Sequence, residues 1–144
     1  MTSIDTDIVV VGFGISGLTA ALSAVDAGAT VVVLEKAAQN NARGFDDGAV
    51  NSTAHKEAGV VIDRDELIAE LMTQSNYRVD QRLIRTWVDE SGQMIDWLRG
   101  LVEPRGVKAY LPTAGPRREG PYKVWPTGVT GREKTPNSPR RWKP

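Results

Sequence analysis

Gly12, Gly14 and Gly17 follow an apolar run, Ile8 to Val11, and open a helical stretch that closes at Gly28; Glu35 ends the next apolar run. That is the layout of a dinucleotide-binding βαβ unit. Each residue type has a physical job. Gly12 permits the tight turn out of the first strand, Gly14 lets backbone approach a pyrophosphate with no Cβ in the way, and Gly17 lets helix and strand pack closely. The free N–H groups at the helix start, together with the positive end of its dipole, suit a phosphate. Ordinary turn glycines and a stray surface carboxylate would not need strand, helix, second strand and acid to stay in phase.

The register extends past the glycines. Ala21 follows Gly17 by one helical turn, and Leu18, Leu22 and Val25 recur at helical spacing up to the cap at Gly28. Val31, Val32, Val33 and Leu34 form a β-branched run that reads as a strand buried on both faces of a parallel sheet. Glu35 then lies at the carboxyl end of that strand, where its carboxylate can accept from both ribose hydroxyls of an adenosine and would repel a 2′-phosphate. The site suits FAD or NAD, not NADP.

With 144 residues, 18 Lys and Arg against 18 Asp and Glu, and 40% hydrophobic residues, the chain reads as one soluble domain or a domain with an appendage. The balanced charge gives no reason to expect nucleic acid. Cysteine is absent, which excludes disulfides, thiolate catalysis, Cys-bound zinc and a cysteinyl flavin; the single histidine, His55, argues against a His-rich metal site. No metal site is expected. No apolar segment approaches the roughly 20 residues of a membrane helix. Met1 to Asp7 carries two Asp and no basic residue, which reads as a cytoplasmic start without an export signal.

Ala37 to Thr53 is rich in Asn, Asp and Gly and reads as an irregular loop at the rim of the nucleotide site. Asp63, with Glu66 three residues on, marks a helix start carrying Leu67, Ile68, Leu71 and Met72 on one face. Asp80 is a second cap, leading into Leu83, Ile84, Trp87 and Val88; the pattern resumes at Met94, Ile95, Leu98 and Leu101 after a break at Gly92. Trp87 and Trp97 read as packing residues. His55, beside Lys56 and Glu57, reads as solvated. Pro116 to Pro144 holds six of the eight prolines and eight basic residues against two acidic ones, a composition that rules out a helix or a regular strand. Tyr122 and Trp125 have no obvious hydrophobic partner within the chain.

The opening Asp7-Ile8-Val9-Val10-Val11-Gly12-Phe13-Gly14-Ile15-Ser16-Gly17, the Leu34-Glu35-Lys36 that follows, the loop ending Gly48-Ala49-Val50-Asn51, and Val79-Asp80-Gln81-Arg82-Leu83-Ile84 together resemble the fumarate reductase/succinate dehydrogenase flavoprotein family. The likeness is greatest to its soluble bacterial flavocytochrome-type fumarate and urocanate reductases, and covers about residues 5 to 130. The resemblance implies FAD. It puts Gly12, Gly14, Ile15, Ser16 and Gly17 on the pyrophosphate, Glu35 on the ribose, Lys36 beside the adenine end, and Arg43, Asp47 and Gly48 along the flavin. The sequence departs from the family pattern at Asn40-Asn41, where a Gly-Gly doublet is usual, and at Arg43, where a small hydroxyl residue is usual. Arg43 either adds a phosphate contact or faces solvent. No residue matches the family's substrate-binding histidine and arginines, so no catalytic residue is assigned.

The fold class implied is α/β: a Rossmann-like FAD-binding βαβ with a parallel sheet, followed by helices leading into an incomplete cap region. Residues 1–62 form the FAD-binding unit and flavin-side loop, 63–103 a helical segment, and 104–144 an irregular basic tail. The implied function is the FAD-binding N-terminal region of an oxidoreductase that reduces an activated C=C bond of a carboxylate by hydride transfer. A truncated, non-catalytic FAD-binding fragment or split-protein half is the alternative, and an NAD-binding domain a weaker one. The implied partners are a dicarboxylate or enoate substrate and a complementing chain or electron-donor protein, with no nucleic acid.

Overall fold

A computed structural model describes residues 3–38, 46–112 and 115–133. Its contacts divide the chain into two compact units, Met1–Gly44 and Phe45–Pro144.

In the first unit the run of β-branched residues forms β1 (Ile8–Val11), the small-residue stretch forms α1 (Ile15–Asp26), and the valine run forms β2 (Val31–Leu34). The two strands pair in parallel, from Ile8 opposite Val31 to Val11 opposite Leu34. A clasp just ahead of the ladder sets that register: the Asp7 carboxylate accepts from the Thr30 N–H at 2.8 Å and the Thr30 hydroxyl at 2.6 Å. Parallel pairing and the helical crossover are as the glycine register predicts. Burial on both strand faces is not. In β2 Val31, Val32 and Val33 are only half-buried and Leu34 is 52% exposed, and in β1 Val9 and Val11 are 53% and 82% exposed; among the described residues α1 packs on one face of the pair.

The second unit is built from β3 (Asp46–Gly48), α2 (Thr53–Glu57), α3 (Arg64–Gln74), α4 (Gln81–Val102), a 3-10 turn (Glu103–Arg105), β4 (Val107–Tyr110), β5 (Arg117–Glu119), β6 (Tyr122–Val124) and β7 (Gly128–Glu133). An antiparallel sheet runs in the order β3-β7-β4, and β5 pairs β6 in a separate hairpin. Asp63 and Asp80 cap α3 and α4, accepting from the backbone N–H of Glu66 and Arg82. Val50, Ile62, Leu67, Ile68 and Val88 form the main core, with Leu71, Met72, Ile84, Trp87 and Trp125 against it; Ala49, Ala54, Ile95 and Val129 form a second cluster. Among the described residues no helix is long and apolar enough to cross a membrane.

Several local expectations fail here for identifiable reasons. The proline-rich segment does form strands, because Pro116, Pro121 and Pro126 fall between them rather than inside them. Gly120 at φ 60° and Pro121 make the two-residue turn joining β5 to β6. Trp125 has a partner after all, in the main core. The helix does not break at Gly92. There α4 lies so close to the chain after β3 that a Cβ would stand 2.4 Å from the Val50 carbonyl oxygen. The stretch read as loop through Thr53 contains β3 and the start of α2, and Leu83 is 71% exposed although it has helical spacing.

Candidate functional site

In the first unit the turn from β1 to α1 is held from both sides. The Gly12 N–H donates to the Leu34 carbonyl at 2.7 Å, and the Phe13 N–H donates to the Glu35 carboxylate at 2.7 Å. Gly12 has φ 103°, which an L side chain rarely adopts. A Cβ on Gly17 would stand 2.1 Å from the Gly12 carbonyl oxygen, so α1 can start this close to β1 only with glycine there. Gly14 is the N-cap of α1 with extended backbone and no side-chain cap, and a Cβ on it would meet nothing within 4 Å.

The consequence is a helix end whose first N–H groups have no intrahelical acceptor and no capping side chain. Ile15 and Ser16 are exposed at this end. Uncapped N–H groups, the helix dipole and open space at Gly14 together suit a phosphate-bearing ligand.

Glu35, exposed just past β2, accepts from Phe13 N–H on one oxygen and from Ala37 N–H, at 2.9 Å, on the other. The Ala37 bond first and the Phe13 bond second hold its carboxyl below the ordinary carboxylate range, so Glu35 is ionised at neutral pH. An ionised carboxylate has about four lone-pair positions, of which two are used, leaving acceptors for a diol. Lys36 is exposed beside it. The cradle, the acceptor and the steric clearance fit the adenosine diphosphate part of a dinucleotide.

Asp47 and Gly48 belong to the second unit, on β3. Asp47 is exposed, and pairs Val129; Gly48 pairs Gly128. The Gly48 carbonyl accepts from Trp87 Nε1 at 3.3 Å, and a Cβ on Gly48 would press on the Trp87 ring at 3.2 Å. The chain beyond is pinned by Ala49 N–H to Thr127 O at 2.8 Å and by Val50 N–H to Ser91 Oγ at 3.1 Å. Asn51, at φ 52°, then exchanges two bonds with the Ile62 backbone. Arg43 lies outside the described residues.

The residue that local sequence reading misplaces is His55. Its charged neighbours suggest solvent, yet the ring is fully buried, bonded to Ser52 Oγ at 2.8 Å and to the Pro126 carbonyl at 3.0 Å. Burial holds its pKa below the ordinary value of 6.5, against the opposing pulls of the Pro126 bond and Asp96. Its partner is 71 residues away, so no local pattern could have shown this.

Comparison with known proteins gives this geometry its context. The FAD binding domain family matches residues 7–142. Vinyl phenol reductase of Lactiplantibacillus plantarum is 36% identical over 107 residues, 72% of this chain and 22% of that protein. Fumarate reductase (cytochrome) of Shewanella frigidimarina is 32% identical over 100 residues, 66% of this chain and 17% of that protein. The open conformation of a flavocytochrome c3 fumarate reductase superposes with a TM-score of 0.63 at 24% identity, over 92% of this chain and 22% of that one, which shows a shared α/β fold. The chain thus spans about a fifth of the length of the relatives it matches. Those relatives are oxidoreductases by name, and FAD is the cofactor of the matching family. From the glycine turn to the tail, this chain belongs to the FAD binding domain family.

Proposed function

We propose that the chain is the FAD-binding region of a fumarate-reductase-like oxidoreductase that reduces an activated C=C bond of a carboxylate substrate. The observation that carries this reading is the uncapped start of α1, open at Gly14 and facing no side chain of its own, with the ionised Glu35 at the end of β2. In this reading the backbone from Gly12 to Gly17, including Ile15 and Ser16, holds the pyrophosphate, Glu35 the ribose, and Lys36 stands by the adenine. Arg43, Asp47 and Gly48 belong to the flavin side. When bound, FAD supplies the hydride chemistry. The residues of this chain bind and orient; none is assigned to the substrate or to a proton.

The names of the two relatives support reduction of a conjugated C=C bond, which a vinyl phenol and fumarate share, and the carboxylate rests on the fumarate reductase alone. Residues 1–62, 63–103 and 104–144 are proposed to serve as cofactor unit, helical segment and start of a cap, in a cytoplasmic protein. An electron donor and the substrate-binding groups come from another part of the flavoprotein or from a complementing chain. A second reading is a truncated, non-catalytic FAD-binding fragment or split-protein half.

Gel filtration of the purified chain with added FAD, followed through its visible absorption, tests the reading. A co-eluting flavin band that Glu35→Ala weakens about tenfold or more in Kd, the loss of a bond to a charged acceptor, is the expected result. Retention of NAD in preference to FAD, or an FAD affinity indifferent to Glu35→Ala and Gly14→Val, would overturn it.

A further inference from the structure

We propose that His55 is a positioning residue for the flavin-side strand: a buried Ser52–His55–Pro126 relay fixes residues 125–127, and through them the Asp47–Ala49 segment. The inference rests on the reading that Asp47 and Gly48 line the cofactor.

The Pro126 carbonyl can only accept, so Nε2 carries a proton and donates to it; burial favours the neutral ring, in which Nδ1 is the acceptor and the Ser52 hydroxyl donates to it. Ser52 occupies the N-cap of α2 yet makes no side-chain capping bond. Its hydroxyl is committed to the ring instead of to the helix. A residue that is 1% exposed thus gives up the usual capping role to orient a histidine that is 0% exposed.

The other end of the relay meets a segment that offers three successive carbonyls. The Trp125 carbonyl accepts from Thr127 N–H at 2.9 Å, the Pro126 carbonyl from His55, and the Thr127 carbonyl from Ala49 N–H at 2.8 Å. One residue further on, Gly128 pairs Gly48. The middle carbonyl is held by a side chain from α2, and the next one, that of Thr127, holds Ala49 just past the end of β3. Without His55 the buried Pro126 carbonyl loses its partner, and the segment turns to find another. That turn moves the acceptor for Ala49 and the register partner of Gly48. Asp96 on α4, which acts electrostatically on the ring, accepts from the Thr53 N–H and hydroxyl.

Three variants of the full chain test the relay: His55→Leu removes both bonds, Ser52→Ala removes the one to Nδ1, and His55→Gln keeps an amide donor for the Pro126 carbonyl. Amide hydrogen exchange without FAD and FAD titration are the two readouts. In His55→Leu, exchange at Ala49 rises about tenfold while amides in the middle of α3 keep their protection, and FAD Kd weakens about tenfold. His55→Gln restores most of both. Exchange rising equally through α3 and β3, or no rescue by Gln, would reduce His55 to a general core residue and overturn the proposal. Should His55→Leu not fold, Ser52→Ala decides: faster exchange confined to Ala49 and its neighbours supports the relay, and unchanged exchange overturns it. A parent chain that binds no FAD, or an Asp47→Ala variant with unchanged Kd, overturns the cofactor reading and with it the functional half of the proposal, while exchange at Ala49 still judges the relay.

Discussion

The two units carry their information in different places. In the first, the residues that define it act through backbone and clearance: Gly12 turns, Gly17 lets α1 approach β1, and Glu35 ties two backbone N–H groups. Of the ten buried apolar side chains among the described residues, it contributes Ala21 and the second unit the other nine. The first unit is therefore specified by chemistry that a ligand would use, the second by a core. A change in the first unit should register as lost ligand affinity, and a change in the second as lost stability.

Two glycines test this most severely. Gly17→Ala drives a Cβ to 2.1 Å from the Gly12 carbonyl oxygen, and Gly92→Ala drives one to 2.4 Å from that of Val50. Both partners are backbone and cannot rotate away. Overpacking of this kind costs about 3 kcal/mol or more, so Gly92→Ala should lower Tm by more than about 10 °C in thermal unfolding followed by circular dichroism. Gly17→Ala opens the phosphate turn, and FAD Kd in titration should weaken about a hundredfold, the affinity equivalent of about 2.7 kcal/mol. The reverse assignment, with Gly92→Ala the variant that spares stability, would break the comparison.

Valine truncation repeats the contrast on a smaller scale. Val88 is fully buried in the main core and Val11 is 82% exposed on β1. Val88→Ala should cost about 2 kcal/mol from lost burial and a residual cavity, and Val11→Ala less than about 0.5 kcal/mol. Chemical denaturation of both variants measures the difference directly.

The same division explains what could be read from the chain. The βαβ unit was legible because its constraints are local: three glycines, an apolar run on either side and one acid, all within residues 8–35. The caps at Asp63 and Asp80 were legible for the same reason, each bonding a backbone N–H two or three residues on. His55 was not, since its burial depends on Pro126. Gly92 looked like a break because its close approach to Val50 is a tertiary contact. The strands β5 to β7 were hidden by proline content, although what matters to a strand is where the prolines fall. The flavin-side residues fall between these cases: Asp47 and Gly48 were singled out by resemblance, and only the fold shows Trp87, Ser91 and Thr127 pinning the chain around them.

Acid separates the units by pH window. His55 has a folded-state pKa below its unfolded value, so the unfolded chain binds the extra proton, and the second unit's stability is full above about 6.5 and falls as pH drops toward the folded value. Glu35 and Asp7 are also lowered, from 4.5 and 3.8, by hydrogen bonds to Ala37 and Phe13 and to Thr30. Their contribution is present above those values and is lost only as pH falls through the lower folded ones. Amide protection, taken relative to the intrinsic exchange rate at each pH, should therefore fall in the second unit first between pH 7 and 5. A uniform fall would show that His55 is not neutral in the fold.

The smallest effects concern helix caps, and they sharpen the comparison furthest. Asp63 caps α3 with a bond to Glu66 N–H at 2.9 Å, and Asp63→Ala should cost about 1 kcal/mol while leaving FAD Kd unchanged. Gly14 holds the equivalent position on α1 with no side chain at all, at φ −80° and ψ 180°, a conformation open to any residue. Gly14→Asp would give α1 the cap that α3 already has, and stabilise the free chain by about 0.3 kcal/mol, since glycine is only slightly worse than aspartate there. The same carboxylate would occupy the N–H groups meant for a pyrophosphate and repel its charge, so FAD Kd should weaken about tenfold or more. Stability and affinity would then move in opposite directions at a single residue. That opposition is what a helix start left uncapped for a ligand requires, and a Gly14→Asp chain that binds FAD as well as its parent would show that the bare N-terminus of α1 is only a loop end.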